Sequence, residues 1–574
     1  MSTEHLNTDN NPQAIDPERE KDMLAFVASM NKSTSKLASP SKRRQCKWLT
    51  ALKRRFRRRS LTLIATAAAT ILLAGVMVLI ITSWKDTSPN IGGSTSTDSD
   101  TNETTTTTQQ IPLLDKTSQT DTTKKTHLQQ VSIQNTDDAY TILYDKASDT
   151  YVIQGYEDIA LSVQMMLTLR HYTETIQATD KIKEASDLSL YGLANPQATA
   201  DISYADGSST RLLIGNKTPS ETGYYGQIQG DDSVYIFDTE SASLFRHRSS
   251  AFVDMTLMSP PTVNEGDDNG KALLKNITYS GTAHSSPLVM RRSNHQDSEE
   301  LAYFSYVITD PFLRCTSDTV SSALSSFQSL SADQALYLHP TDEQKEKLGF
   351  NNPLIQIDAT LAVETEESGT SDDSEEVKPK IYYGSKDYTL IIGSKDENGN
   401  YIVMLEGIDV IFLIKKDSYS YLLDRTYQNS VNEYLFFKNI TSIERISVEY
   451  NGEKHDFHLT HYPDIEDTND KLVVTEGKKV YSTEEFRELY ELVMALERYG
   501  VPDEEPTGDV VLTISLYDTD GNLYLSADYY ETTASLCTVK TSQGEWISTL
   551  WSDVSFFIDQ VQNYLDGKNV LIKN

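Results

Sequence analysis

The chain has 574 residues, 38% of them hydrophobic, and carries 51 Lys and Arg against 84 Asp and Glu, a net charge of −33. That length is too great for one ordinary core and predicts three or four domains, while the charge opposes nucleic-acid phosphates and anionic headgroups, so no nucleic-acid partner is expected. Three cysteines exclude a disulfide framework and leave only a Cys315–Cys537 bridge open.

The charge is unevenly spread. Residues 1–59 hold 14 Lys and Arg against 6 Asp and Glu, and ten of those bases fall between Lys42 and Arg59 with no acid among them. We read 1–59 as a largely disordered basic cytoplasmic tail. From Ser60 to Trp84 no residue is charged. A helix of that length reaches about 36 Å at 1.5 Å per residue, enough to cross a ~30 Å hydrocarbon layer. Residues 60–84 are therefore expected to be a single transmembrane helix. The bases before it place the N-terminus in the cytoplasm and the body outside the cell membrane. The run is too long for a cleaved signal core, so a retained anchor is expected. Residues 85–128, with "GGSTSTDSDTNETTTTTQQ", cannot bury a core and read as a Ser/Thr-rich flexible stalk.

Beyond the stalk one order of elements recurs three times. We expect an α+β class, with three tandem and similar antiparallel-sheet-plus-helix repeats over 129–260, 272–430 and 438–574. In the first, "VSIQNTDDAYTILYDKASDTYVIQG" reads as strands and "EDIALSVQMMLTLRHYTETI" as a helix, with Leu161, Met165, Met166 and Leu169 near helical spacing. "ATADISYADGSSTRLLIG" is a hairpin turning at Asp206-Gly207. "GYYGQI" and "SVYIFD" are two further strands, and "SASLFRHRSSAFVDMTLM" closes the unit with a short helix. In the second, "NITYSG", "SPLVMRRS" and "LAYFSYVI" read as strands and "SALSSFQSLSADQAL" as a helix. "LGFNNPLIQIDATLAV", "YTLIIGS", "NYIVMLEG" and "VIFLIKK" follow as strands. An acidic insert, 364–380, falls at the hairpin tip that Asp206-Gly207 occupies in the first unit, where added length costs little. The third runs through "SIERISVEYNGEKHDFHLT", "KLVVTEG" and the helix "TEEFRELYELVMALERYGV". That helix has one apolar face of Phe486, Leu489, Leu492, Val493 and Leu496, and Ser482 with Glu485 suits a capping box. A hairpin at Asp520-Gly521, the strands "SLCTVKT" and "EWISTL", and the helix "SDVSFFIDQVQNYL" complete it.

A small motif punctuates each unit: "LYGLANP" at 190–196, "LGFNNP" at 348–353 and "YGVP" at 499–502. Gly192, Gly349 and Gly500 each follow a helical pattern, where a left-handed residue is wanted and glycine adopts it freely. Pro196, Pro353 and Pro502 then favour an extended exit. Companion glycines and a lysine for phosphate binding are missing.

Few residues carry a chemical signal. His455, His458 and His461 in "KHDFHLTH" alternate across a strand, so only His455 and His461 share a face. They would stand about 20 Å apart, too far to share a metal. "DTDG" at 518–521 resembles the start of a calcium loop but lacks the later ligands, and reads as a turn. No nucleophile elbow, zinc helix or phosphate loop is present. We assign no catalytic, cofactor-binding or metal-binding residue, and expect no cofactor and no enzymatic activity.

The run "LYGLANPQATADISYADGSSTRLLIGNKTPSETGYYGQIQGDDSVYIFD" resembles the bacterial domain of unknown function numbered 4340. The likeness rests on Tyr191–Pro196, Asp206-Gly207, Ile214-Gly215, and Tyr224-Tyr225 with Val234-Tyr235. It implies a membrane-anchored protein with an exported body, often encoded beside transport systems resembling gliding-motility ABC exporters. No functional residue carries over. The expected function is a membrane-anchored extracytoplasmic accessory or scaffold protein of an envelope ABC-type transport system, with the membrane held through 60–84 and a protein partner in the envelope. The alternatives are a surface module binding a cell-wall polymer or glycan, and a hydrolase with an unrecognised site.

Overall fold

The computed structural model describes residues 110–117, 128–182, 185, 187–261, 271–294, 297–366, 380–467, 470–502, 505–506 and 508–572. The tail 1–59, the span 60–84, most of the stalk and positions 367–379 of the acidic insert lie outside the described residues. Among the described residues no helix is long and apolar enough to cross a membrane.

The fold is α+β and antiparallel, with three large sheets and a two-stranded one. In the first large sheet the strands Thr150–Ile153, Ala139–Asp145 and Leu128–Asn135 form one meander. Leu128–Asn135 then pairs with Ala198–Tyr204, which leads a second meander through Ser209–Lys217, Gly223–Ile228 and Val234–Asp238 to a short edge strand, Asp180–Ile182. The second sheet repeats this order. Arg314–Cys315, Tyr306–Asp310, Leu288–Arg292 and Lys271–Ser280 meet Ile355–Glu366, Lys380–Lys395, Tyr401–Leu405 and Val410–Ile414, and Gln334–Leu338 lies on the far edge. The third has Lys479–Tyr481, Leu472–Glu476, Glu453–His461 and Ile443–Tyr450, then Val510–Asp518, Leu523–Glu531, Leu536–Thr541 and Trp546–Leu550.

Alternation explains each sheet. Ala198–Tyr204 buries Ala198, Ala200, Ile202 and Tyr204 and turns Asp201 outward, so its register against the core is fixed. The hairpins turn where glycine tolerates positive φ, at Gly207 (+85°) and Gly521 (+80°). Between the two meanders of each sheet runs a helix: Val163–Glu174, Asp318–Ser325 and Thr483–Met494. The last buries Phe486, Leu489, Tyr490, Leu492 and Val493, each worth roughly 1.5–3 kcal/mol of transfer. Three separate clusters of buried side chains result. One runs from Leu128 to Phe252, one from Val253 to Val431 together with Ile159, and one from Leu435 to Val570.

The structure corrects several expectations. Within the expected stalk, Ile111–Asp115 is a strand pairing with Thr175–Ala178. Its Ile111, Leu113 and Leu114 pack on the first core, so this apolar run does not behave like the polar tract around it. "LAYFSYVI" begins as the helical turn Glu299–Ala302 before Tyr306–Asp310 becomes a strand. The expected helix "SALSSFQSLSADQAL" ends in the 3₁₀ turn Ser326–Ser329, and its tail is the edge strand Gln334–Leu338. Ser482 does cap its helix, accepting from Glu485 N at 3.3 Å. Glu485 instead accepts from Val570 N, so the reciprocal half of the expected capping box is absent.

The three motif glycines are not equivalent. Gly192 (φ +70°) and Gly349 (φ +87°) follow short second helices, Leu188–Tyr191 and Asp342–Lys347, and not the long helices expected before them. Each turn presses a carbonyl on another glycine. A Cβ on Gly215 would lie 2.2 Å from Tyr191 O, and one on Gly393 would lie 2.3 Å from Leu348 O. Gly500 has no positive φ. Among the described residues the third unit has no second short helix, and its chain passes to the sheet edge. There Tyr499 N donates to Ser548 O at 2.7 Å and Ser548 N to Gly500 O at 2.9 Å. Gly500 thus stands where the other two units place their edge strands.

Candidate functional site

Two clefts occupy the same place in the first and second units. In each, the C-terminal end of the crossing helix faces the helix that follows the last strand. In the first unit, His171, Tyr172, Thr175, Ile176 and Gln177 face Asp238, Glu240, Ser241, Ala242 and Phe245 around a volume of about 340 Å³. Leu212, Ile214 and Phe237 form an apolar floor, and no Lys or Arg lines this cleft. Asp238 caps the short helix Thr239–Leu244, accepting from Ser241 N and Oγ at 2.9 Å each. Burial, then Glu240 and Asp238, push the Tyr172 hydroxyl up to about 12. It stays neutral, and its rim is acidic.

In the second unit Ser326, Ser329, Ser331, Ala332 and Asp333 face Ser418, Tyr419 and Tyr421 around about 350 Å³. Tyr421 and Ser326 hydroxyls bond at 2.9 Å, joining the two sides. Asp333 Oδ2 accepts from Lys415 N at 2.7 Å, and Oδ1 lies 3.6 Å from Lys415 Nζ. In the third unit the corresponding helix is longer, Trp551–Leu565, and lies against Thr483–Met494. Phe486 and Tyr564 rings meet at 5.6 Å and Tyr564 Oη donates to Ser482 O at 3.1 Å, so the end of this helix packs on the start of the crossing helix.

A second constellation joins the second and third cores. The Glu545 side chain is 2% exposed; its Oε2 receives Arg314 Nη2 at 2.9 Å and Arg314 Nε at 3.2 Å, and its Oε1 receives Tyr427 Oη at 2.6 Å together with Arg498 Nη1. Arg314 Nη1 also reaches Gln543 Oε1 at 2.7 Å, and Arg498 Nη2 reaches Gln428 Oε1 at 3.2 Å. Burial alone would raise the Glu545 carboxyl, yet Arg498, Arg314 and Tyr427 together hold it below the ordinary carboxylate value. Nearby, Lys438 Nζ lies 3.4 Å from buried Glu300 and over the Tyr524 ring at 4.6 Å. Arg314 and Glu545 are 231 residues apart, and no local sequence signal could have paired them.

The residues singled out in sequence stay apart. His455 Nδ1 pairs with Glu476 Oε1 at 2.9 Å, and Glu476 Oε2 accepts from Tyr481 Oη at 2.6 Å. His461 Nε2 contacts Ile443 O at 2.8 Å, and His458 is exposed. Among the described residues no group of three His, Cys, Asp or Glu could hold a metal. Asp518 Oδ1 accepts from Asp520 N and Asn522 N at 3.0 and 2.8 Å, closing a hairpin turn. Cys315 and Cys537 are both free and buried, so the bridge left open does not form. Burial pushes both thiols up to about 12.

These features define a protein of consecutive antiparallel-sheet units with an open cleft in two of them. Residues 163–353 match the family described as Domain of unknown function (DUF4340), so the resemblance holds from the first crossing helix to Pro353. That stretch contains the whole first cleft apart from Gln110, and one side of the second. No curated protein and no solved structure matches the chain.

Proposed function

We propose that the chain is a membrane-anchored extracytoplasmic scaffold, an auxiliary component of an envelope ABC-type transport system, that works by binding and not by catalysis. Residues 60–84 anchor it with the N-terminus inside, the Ser/Thr tract sets the body off the membrane, and three tandem repeats form that body. The observation that carries the reading is the buried Arg314–Glu545–Arg498 group with Tyr427. It ties consecutive cores through charge-assisted bonds that survive only in one arrangement. A fixed multi-unit body suits the presentation of one extended surface to a partner. The chain's strong negative charge favours a basic partner patch, with association weakening as salt rises.

The test is recovery of the full chain, tagged at its C-terminus, from gently solubilised membranes of the cells that make it. An ABC permease and its ATPase are expected to co-purify in fixed ratio, and less of both with Glu545→Ala. Recovery of the chain alone, or with equal amounts of unrelated membrane proteins, would contradict the scaffold reading.

A further inference from the structure

The two open clefts sit on the same framework and differ in chemistry. The first has an apolar floor and two carboxylates with no Lys or Arg among its lining residues. The second is lined by four serines, two tyrosines, one aspartate and one alanine. Its single carboxylate is already engaged by the Lys415 backbone N–H and ammonium, so the cleft offers little net charge. Among the described residues the hydroxyls of Ser329, Ser331 and Ser418 carry no hydrogen bond to the protein. Each can donate once and accept twice. Tyr421, 47% exposed, stands at the rim with its hydroxyl held by Ser326 at 2.9 Å, which fixes how the ring is presented. The framework beneath is fixed as well. Leu257 N and Met258 N both donate to Leu330 O, at 2.9 and 3.0 Å, and Asp333 N donates to Leu413 O at 2.9 Å.

We infer that this second-unit cleft is a subsite for a neutral saccharide unit. A sugar ring presents vicinal hydroxyls that both donate and accept, matching the three open serine hydroxyls and the Asp333 carboxylate. It also presents a face of C–H groups that packs on an aromatic ring such as Tyr421. A volume of about 350 Å³ falls at the small end of ligand sites, which run from about 300 Å³, and suits one ring with its neighbour leaving through the open side. An anionic ligand finds no Lys or Arg among the lining residues, and an apolar one finds too many hydroxyls to desolvate. The inference is independent of any transport partner.

The test uses the full chain in a detergent without a sugar headgroup, titrated with chitotriose, cellotriose and maltotriose by calorimetry and saturation-transfer NMR. At least one trisaccharide is expected to bind saturably. Tyr421→Ala and Ser418→Val should each weaken that binding roughly threefold to tenfold, the effect of one lost hydrogen bond or ring contact. Tyr421→Phe, which keeps the ring, should lose less than Tyr421→Ala, and Glu240→Gln in the first cleft should change nothing. Circular dichroism and melting confirm that each variant is folded. Failure of all three sugars to saturate the wild type, or unchanged binding in both Tyr421→Ala and Ser418→Val, would overturn the assignment.

Discussion

Removing the Glu545 carboxylate should unlock the seam between the second and third cores. In Glu545→Ala, Arg314 and Arg498 lose the acceptor between them, with side chains 11% and 6% exposed. Tyr427 Oη loses its 2.6 Å bond. Two largely buried guanidinium groups then face each other without a counterion. Breaking a buried pair by deleting one partner costs about 3–5 kcal/mol, and the upper part of that range is expected with two arginines stranded. Urea unfolding followed by tryptophan fluorescence is a suitable assay, because Trp546 adjoins Glu545 and Trp551 begins the closing helix. The full-length chain will not unfold in one step, so the transition to compare is the one these tryptophans report. The carboxyl lies below its ordinary value when folded. Its stabilising contribution is therefore complete above the unfolded value, near pH 4.3, and is lost as pH falls through the lower folded value. Wild type and Glu545→Gln should differ at pH 7 and converge in strong acid. A loss under about 1 kcal/mol for Glu545→Ala, the size of an exposed pair, would refute the reasoning, as would a difference from Glu545→Gln that grows on acidification.

Glycine substitutions should separate close approach from mere position. Gly215→Ala and Gly393→Ala, which drive a Cβ to 2.2 and 2.3 Å from a carbonyl oxygen, should each cost at least 1–3 kcal/mol in melting or urea experiments. Gly500→Ala, with nothing within 4 Å of its Cβ, should stay within about 0.5 kcal/mol. Thiol titration of the native Cys46→Ser chain should find no reactive group, since Cys315 and Cys537 are buried with thiols pushed up to about 12, and two after denaturation.

Much of the fold was legible because it is written in short periods. The alternation in Ala198–Tyr204 and the glycine turns at 207 and 521 are local signals, and each meander within a sheet is assembled from neighbours in sequence. The helix face of Phe486, Leu489, Leu492 and Val493 was equally plain. What escaped depends on distance. Ile111–Asp115 becomes a strand only because Thr175–Ala178, more than sixty residues later, offers an edge. Gly500 shares a dipeptide with Gly192 but not its setting: Gly192 closes a short helix, whereas Gly500 pairs with Ser548 at a sheet edge. The clefts were hidden because their sides come from segments such as 326–333 and 418–421, whose serines and tyrosines read as ordinary surface until the helix ends meet. The seam at Glu545 draws on residues 47, 118 and 231 positions away, and a charged residue just before a strand carries no mark of such partners.

The functional account depends first on which side of the membrane the folded body lies. Protease added to intact spheroplasts, with antibodies against the two ends of the chain, reads this directly. The account predicts that residues beyond about 86 are digested or released while the first 59 stay protected. A C-terminal body that remains intact until the membrane is permeabilised would contradict it.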